Sequence, residues 1–188
     1  MRINITVDFD QDINNYLKQE YPDVKDWRIL SKSLDARGAN RGRKPQVALG
    51  LEVIKEGEHF TSFDEAIPHL GPFKNKPIII GSGPAGLFCA LRLADHGVPS
   101  IVLERGGPST ERMASIARFW RLGKFDTENN VCFGEGGAGL YSDGKLITRV
   151  KSPHIPYVMK RLVDFGAPKE TAYLSNPHLG SNGIRKMI

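Results

Sequence analysis

The chain has 188 residues, 40% of them hydrophobic and 25% charged, with a formal net charge of +5. That length carries one good domain or two small ones around a real core, and the composition excludes the disordered and fibrous classes. No apolar run approaches the ~20 residues of a membrane span and the opening MRINITVDFD lacks the apolar centre of a secretory signal, so a cytoplasmic protein is expected.

RINITVDF sets Ile3, Ile5, Val7 and Phe9 on alternate positions, which predicts a half-buried strand. Ile13, Tyr16 and Leu17 then recur at helical spacing behind Asp10, a candidate helix cap. WRILSKSLDARG and PQVALGLEVI read as two further strands, the second alternating through Val47, Leu49, Leu51 and Val53. The loop between them carries Arg41, Arg43 and Lys44, either a solvated connection or a contact for a phosphate or nucleic acid. IPHLGPFKNKP, residues 67–77, concentrates Pro and Gly and reads as a linker. The expected division is a small α+β domain over 1–74 and a nucleotide-binding domain over 75–188.

The positive charge excess lies entirely after residue 75, as an anionic ligand would favour, and a nucleic acid too. PIII is too short for a helix and rich in β-branched residues, and predicts a buried parallel strand. Directly after it, Gly81, Gly83 and Gly86 form G-x-G-x-x-G. The first glycine permits the tight turn, the second lets a pyrophosphate approach the backbone, and the third lets helix and strand pack closely. Pro84 suits the first helical turn, because its missing N–H would have no partner there. A helix through AGLFCALRLADH follows, with Leu87, Ala90, Leu91 and Ala94 on one face and Gly97 placed to end it. Its positive N-terminus would face the phosphates.

SIVLE is a second apolar strand ending in Glu104, 18 positions beyond Gly86. An acid there can accept hydrogen bonds from the ribose hydroxyls and repels a 2′-phosphate, which favours FAD or NAD over NADP. Arg105 either contacts the adenosine phosphate or is a surface arginine. Strand, glycine turn, helix, second strand and acid together define a Rossmann-like βαβ segment. Its candidate nucleotide contacts are Gly81, Ser82, Gly83, Pro84, Ala85, Gly86, Glu104 and Arg105.

GSGPAGLFCALRLADHGVPSIVLERG resembles the amino-terminal FAD-binding segment of glutathione-reductase-type flavoproteins, where a Pro-Ala pair commonly separates the second and third glycines. The resemblance implies FAD as the ligand. CFGEGGAGLYSDGKL, residues 132–146, is similar to a glycine-rich signature in a family of bacterial FAD-dependent dehydrogenases. That family also carries a small α+β domain ahead of the FAD segment, with a strand resembling KSLDAR and a later motif resembling NPHLGS.

Read from the residues alone, Gly134, Gly136, Gly137 and Gly139 make a backbone that can approach a planar ring or phosphate, while Ser142 and Asp143 can cap or hydrogen-bond. A glycine-rich turn into a hairpin at YSDGKLITRV fits the same residues. The resemblance favours a loop close to the flavin, which adds Gly136, Gly137, Gly139, Ser142 and Asp143 to the cofactor contacts. Cys132 does not match the redox disulfide motif of glutathione reductase. Cys89 and Cys132 have no metal-like spacing; both are expected as packed thiols, with no metal site. His154 and His178 lie in proline-containing loops as turn residues or catalytic acids, and no catalytic residue is assigned. RMASIARFWRLGKF is expected as an amphipathic helix with its aromatic residues buried, against a nucleic-acid stacking surface.

Relatives in the resembled family are considerably longer, and only 42 residues follow the second glycine block. The resemblance therefore implies a fragment lacking the substrate domain and the closing part of the flavin site, with a complementing C-terminal chain as the alternative. The leading functional expectation is the amino-terminal portion of a FAD-dependent oxidoreductase that binds the ADP part of FAD and is inactive alone. A non-catalytic nucleotide-binding module is the first alternative and a nucleic-acid-binding protein the second. Neither a membrane nor a nucleic acid is the expected partner.

Overall fold

The computed structural model of the protein describes residues 1–38, 42–61, 66–142, 144–148 and 150–188. It is a mixed α/β chain that divides into two compact units. Residues 1–63, 147–151 and 169–177 form the first; residues 64–146, 152–168 and 178–188 form the second.

The first unit holds strand β1 (Arg2–Asp8), helix α1 (Ile13–Glu20) and strands β2 (Asp26–Asp35) and β3 (Gln46–Ile54). The sheet is antiparallel in the order β1-β3-β2. β3 is buried from Leu49 to Val53 on both faces, more than its alternating pattern required, with Ser31 and Asn4 against Gly50 and Arg28 and Thr61 on Glu52. Ile5, Val7, Leu17, Val47, Leu49, Leu51 and Val53 make the core. Phe9 lies past the last β1–β3 pair, Asp8 opposite Gln46, and is exposed rather than buried. The cap of α1 is Asp12, not Asp10: its side chain accepts the Asn15 N–H at 2.9 Å, the reach of an acceptor set three residues ahead. Leu51 is fully buried at the sheet centre. Leu51→Ala is expected to cost this unit about 2–5 kcal/mol. Urea unfolding followed at Trp27, in a Trp120→Phe background, measures that loss.

Among the described residues, one charged group lies inside this unit. Glu52 is buried and its carboxylate accepts from the Thr61 hydroxyl and N–H and from Arg28. The Thr61 bonds, joined by those from Arg28, outweigh burial and hold its carboxyl down to about 2. The guanidinium of Arg28 lies over the Phe60 ring at 5.0 Å. Of the loop cations, Lys44 pairs with Asp10 at 3.2 Å, while Arg41 falls outside the described residues.

The second unit holds β4 (Ile78–Ile80), α2 (Pro84–Asp95), β5 (Ile101–Leu103), α3 (Ser109–Leu122), α4 (Ile155–Asp164) and α5 (Gly180–Met187). β4 and β5 pair in parallel, with Ile78 opposite Ile101 and Ile80 opposite Leu103. The helix between them ends as its sequence requires. Gly97, at φ +75°, donates to Ala94 O and Val98 N–H donates to Leu93 O, a Schellman closure with Val98 buried behind it.

The strands are not buried as expected. Ile80 is 80% exposed and Ile78, Ile101 and Leu103 are also exposed, because only two strands pair among the described residues and one face of the pair lies open. On α2, Leu87, Ala90 and Leu91 are half-buried and Ala94 is exposed.

Candidate functional site

β4 delivers the chain to the first glycine turn. Gly81 takes φ +95°, a conformation that side chains rarely adopt, and its N–H donates to Leu103 O at 2.6 Å across the strand pair. A Cβ on Gly86 would overlap the Gly81 carbonyl oxygen, so this glycine permits the close packing of α2 on the turn. A Cβ on Gly83 would meet open space. Pro84 occupies the first turn of α2, and no side chain caps that helix start. The first backbone N–H groups of a helix have no intrahelical partner, so here they are left for a ligand.

Glu104 closes onto the same turn. One carboxylate oxygen accepts the Ser82 N–H at 2.6 Å and the Ser82 hydroxyl at 2.9 Å; the other accepts the Gly106 N–H at 2.8 Å. Partial burial pushes its carboxyl up, but the Ser82 and Gly106 bonds prevail and hold it below the usual range.

The second glycine segment packs on the first, backbone to backbone. Gly136 N–H donates to Ser82 O at 2.9 Å, and a Cβ on Gly137 would lie 3.0 Å from the Pro84 ring. Gly134, Gly136 and Gly137 have φ of +105°, +73° and +67°. A Cβ on Gly106 would lie 2.9 Å from the Gly134 Cα, so the two segments approach this closely only because residue 106 is glycine.

Between these pieces lies a cavity of about 220 Å³. The first turn contributes Ile80, Gly81 and Gly83; the end of β5 contributes Leu103, Glu104 and Arg105; the second segment contributes Cys132, Phe133, Gly134 and Gly137. Pockets for drug-sized ligands run to roughly 300–1,000 Å³. This one is smaller, at about 220 Å³. At Gly81 and Gly83 a Cβ would meet no protein atom within 4 Å, so the residues present fit a nucleotide phosphate approached by bare backbone.

The remaining expected residues fall differently. Arg105 lines the cavity, but its guanidinium makes two bonds to Glu128, at 2.5 and 2.6 Å, and lies 4.9 Å from the Phe133 ring. Ala85 is exposed on α2. Gly139 meets nothing and lies in a short 3₁₀ turn, Ala138–Tyr141, where no hairpin forms among the described residues. The Ser142 hydroxyl donates to Gly139 O at 2.9 Å and accepts the Gly144 N–H, closing that turn. Asp143 lies outside the described residues.

Cys89 and Cys132 are free and exposed, not packed. Neither His154 nor His178 lines the cavity. On α3 the expected face is inverted: Phe119 and Trp120 are exposed, while Ser109, Arg112 and Ile116 are buried.

Residues that pattern reading passed over support the second segment. Glu135 accepts the Ser109 N–H at 3.0 Å, and that bond, against partial burial, holds its carboxyl below the usual range. Arg112 and Tyr141 join it. The Gly pair in ERGG and the Glu within FGEGG were the only local signals for these contacts.

Residues 76–125 match the family model described as FAD binding domain. The match indicates FAD as the cofactor. Over 210 aligned residues the chain is 34% identical to an uncharacterized protein of Clostridium beijerinckii, covering 98% of this chain and 38% of that protein. Over 50 residues it is 44% identical to the probable indole-3-pyruvate monooxygenases YUCCA1 and YUCCA4 of Arabidopsis thaliana, covering 27% of this chain and 10% of each plant protein. The chain thus spans about two fifths of the length of the Clostridium relative.

Proposed function

We propose that this chain is the amino-terminal, FAD-binding part of a FAD-dependent oxidoreductase, built as a Rossmann-like segment that holds the ADP portion of the cofactor. The observation that carries the reading is the uncapped start of α2 beside bare glycine backbone at the cavity. Backbone N–H groups there would donate to the pyrophosphate. Gly81, Ser82, Gly83, Pro84, Ala85 and Gly86 supply that turn, and Gly136 and Gly137 brace it. Glu104 would accept from the ribose hydroxyls, and Arg105 would border the adenosine side. Gly139, Ser142 and Asp143 would shape the loop toward the flavin. FAD, when bound, supplies redox chemistry that the side chains lack.

In the same reading a small α+β domain over 1–74 precedes a nucleotide-binding part over 75–188, and the setting is cytoplasmic. Among the described residues no helix is long and apolar enough to cross a membrane. The open apolar face of β4 and β5 supports a complementing C-terminal chain, since parallel strands are ordinarily covered on both faces. The small cavity also favours a second reading, a nucleotide-binding module without catalysis of its own.

Titration of the purified chain with FAD and with ADP tests both. Binding of FAD at least about tenfold tighter than ADP, with a perturbed flavin absorbance band, is expected of the oxidoreductase part. Equal affinities favour the module, and binding of neither nucleotide rejects both.

A further inference from the structure

We infer that Arg112 is the positioning residue of the nucleotide cavity, latching the second glycine segment onto α3 in the conformation that lines it; the functional half of this inference rests on the FAD reading above. Arg112 is fully buried, where a helix facing a core would ordinarily place an aliphatic side chain. Its Nη1 donates to the carbonyl oxygen of Phe133, and its Nε donates to the Tyr141 hydroxyl at 3.1 Å. That hydroxyl in turn donates to Ser109 O at 3.2 Å, back on α3. The guanidinium therefore ties both ends of the segment 133–141 to one helix.

The segment needs such a tether. Three of its glycines hold positive φ, and glycine loses more conformational freedom on ordering than any other residue. Phe133 and Gly134, which touch the cavity, are also the residues against which Arg112 packs. A Cβ on Gly134 would overlap the Arg112 guanidinium, so glycine at 134 and arginine at 112 form a matched pair.

Arg112 is an unusual choice for a purely structural brace. Among the described residues its hydrogen bonds go to a carbonyl and a hydroxyl, the Glu135 carboxylate attracts it through space without a hydrogen bond between them, and its Nη2 is buried with no hydrogen-bond partner. Burying a cation without a hydrogen-bonded carboxylate is costly. The cost is retained where the planar fork, reaching a carbonyl and a hydroxyl at once, sets a loop geometry that no aliphatic residue could set.

Two readouts on the full 188-residue chain separate the latch from the cofactor. Chymotrypsin digestion without FAD, mapped by mass spectrometry, reports on the segment through Phe133, Leu140 and Tyr141. In a Trp120→Phe background, Arg112→Met is expected to raise cleavage there about tenfold, with Trp27 fluorescence of the first unit unchanged, and to weaken FAD binding by about the same factor. Arg112→Lys keeps the charge but loses the fork, and is expected to fall between. Tyr141→Phe removes one hydroxyl and serves if Arg112→Met does not fold; about threefold faster cleavage is expected.

Wild-type protection and wild-type FAD affinity in the Arg112 variants would overturn the inference, as would unchanged cleavage in Tyr141→Phe. Loss of protection in a chain whose wild type binds no FAD would uphold the latch and reject the cofactor reading.

Discussion

Gly86→Ala is expected to abolish FAD retention at micromolar protein and to loosen the junction of β4 with α2. The added methyl would overlap the Gly81 carbonyl oxygen, lie 3.1 Å from the Gly81 carbonyl carbon, and lie 3.4 Å from an Ile79 methyl. Backbone cannot yield as a side chain end can, so α2 must withdraw and carry its N-terminal donors with it. Overpacking of this kind costs about 3 kcal/mol, or roughly 100-fold in affinity if all of it falls on the bound geometry.

Gly83→Val provides the contrast. Position 83 has φ −72°, open to any residue, and nothing lies within 4 Å of its Cβ, so the unit should fold as before. The side chain would instead project into cavity space, and FAD should be lost without any change in the melting temperature. Circular dichroism melts beside FAD titrations check both variants. Unaltered FAD binding in both would remove the glycine turn from the site.

Glu104→Gln is expected to weaken FAD binding by roughly 30-fold, about 2 kcal/mol, while the first unit stays intact. The carboxylate accepts three hydrogen bonds from the turn and from Gly106. An amide offers one acceptor oxygen and turns its NH₂ toward donors that already fill the space. The glycine turn loosens together with the loss of any ribose contact, so this variant should also show a modest local loss of protection from hydrogen exchange at Ser82 and Gly106.

A pH series carries the same information. The Glu104 carboxyl lies below its ordinary value of 4.5 in the folded chain. The folded turn therefore holds fewer protons than the unfolded chain near that pH. Its stabilising contribution is complete above about 4.5 and disappears as pH falls through the lowered native value. FAD release on acidification should follow that course in the wild type and be displaced in Glu104→Gln. An identical acid profile in the two proteins would take Glu104 out of the site.

The glycine turn after β4 was legible in the sequence because every signal in it is local. Gly81 answers to its own φ, Gly97 to the Schellman closure six positions around it, and Pro84 to a missing hydrogen bond in its own turn. The three strands of the first unit were legible for the same reason, each carrying its period within a few residues. Burial was a different matter. Alternation in PQVALGLEVI specified one buried face, but Ser31 and Asn4 against Gly50, and Arg28 and Thr61 on Glu52, buried the other.

Ile78, Ile80, Ile101 and Leu103 read as buried by composition alone, yet a strand face is buried only where a helix or another layer packs on it, and this face of β4 and β5 lies open among the described residues. The inverted face of α3 follows from the same physics. A hydrophobic count favours burying Phe119 and Trp120, and says nothing of a guanidinium whose acceptors, Phe133 and Tyr141, lie 21 and 29 residues away. Thus the amino-acid sequence by itself determined the turn, its helix and its acid, through backbone conformations set residue by residue. Only the tertiary structure decided which side chains hold the second glycine segment against it, because hydrogen bonds between distant residues leave no period in the chain.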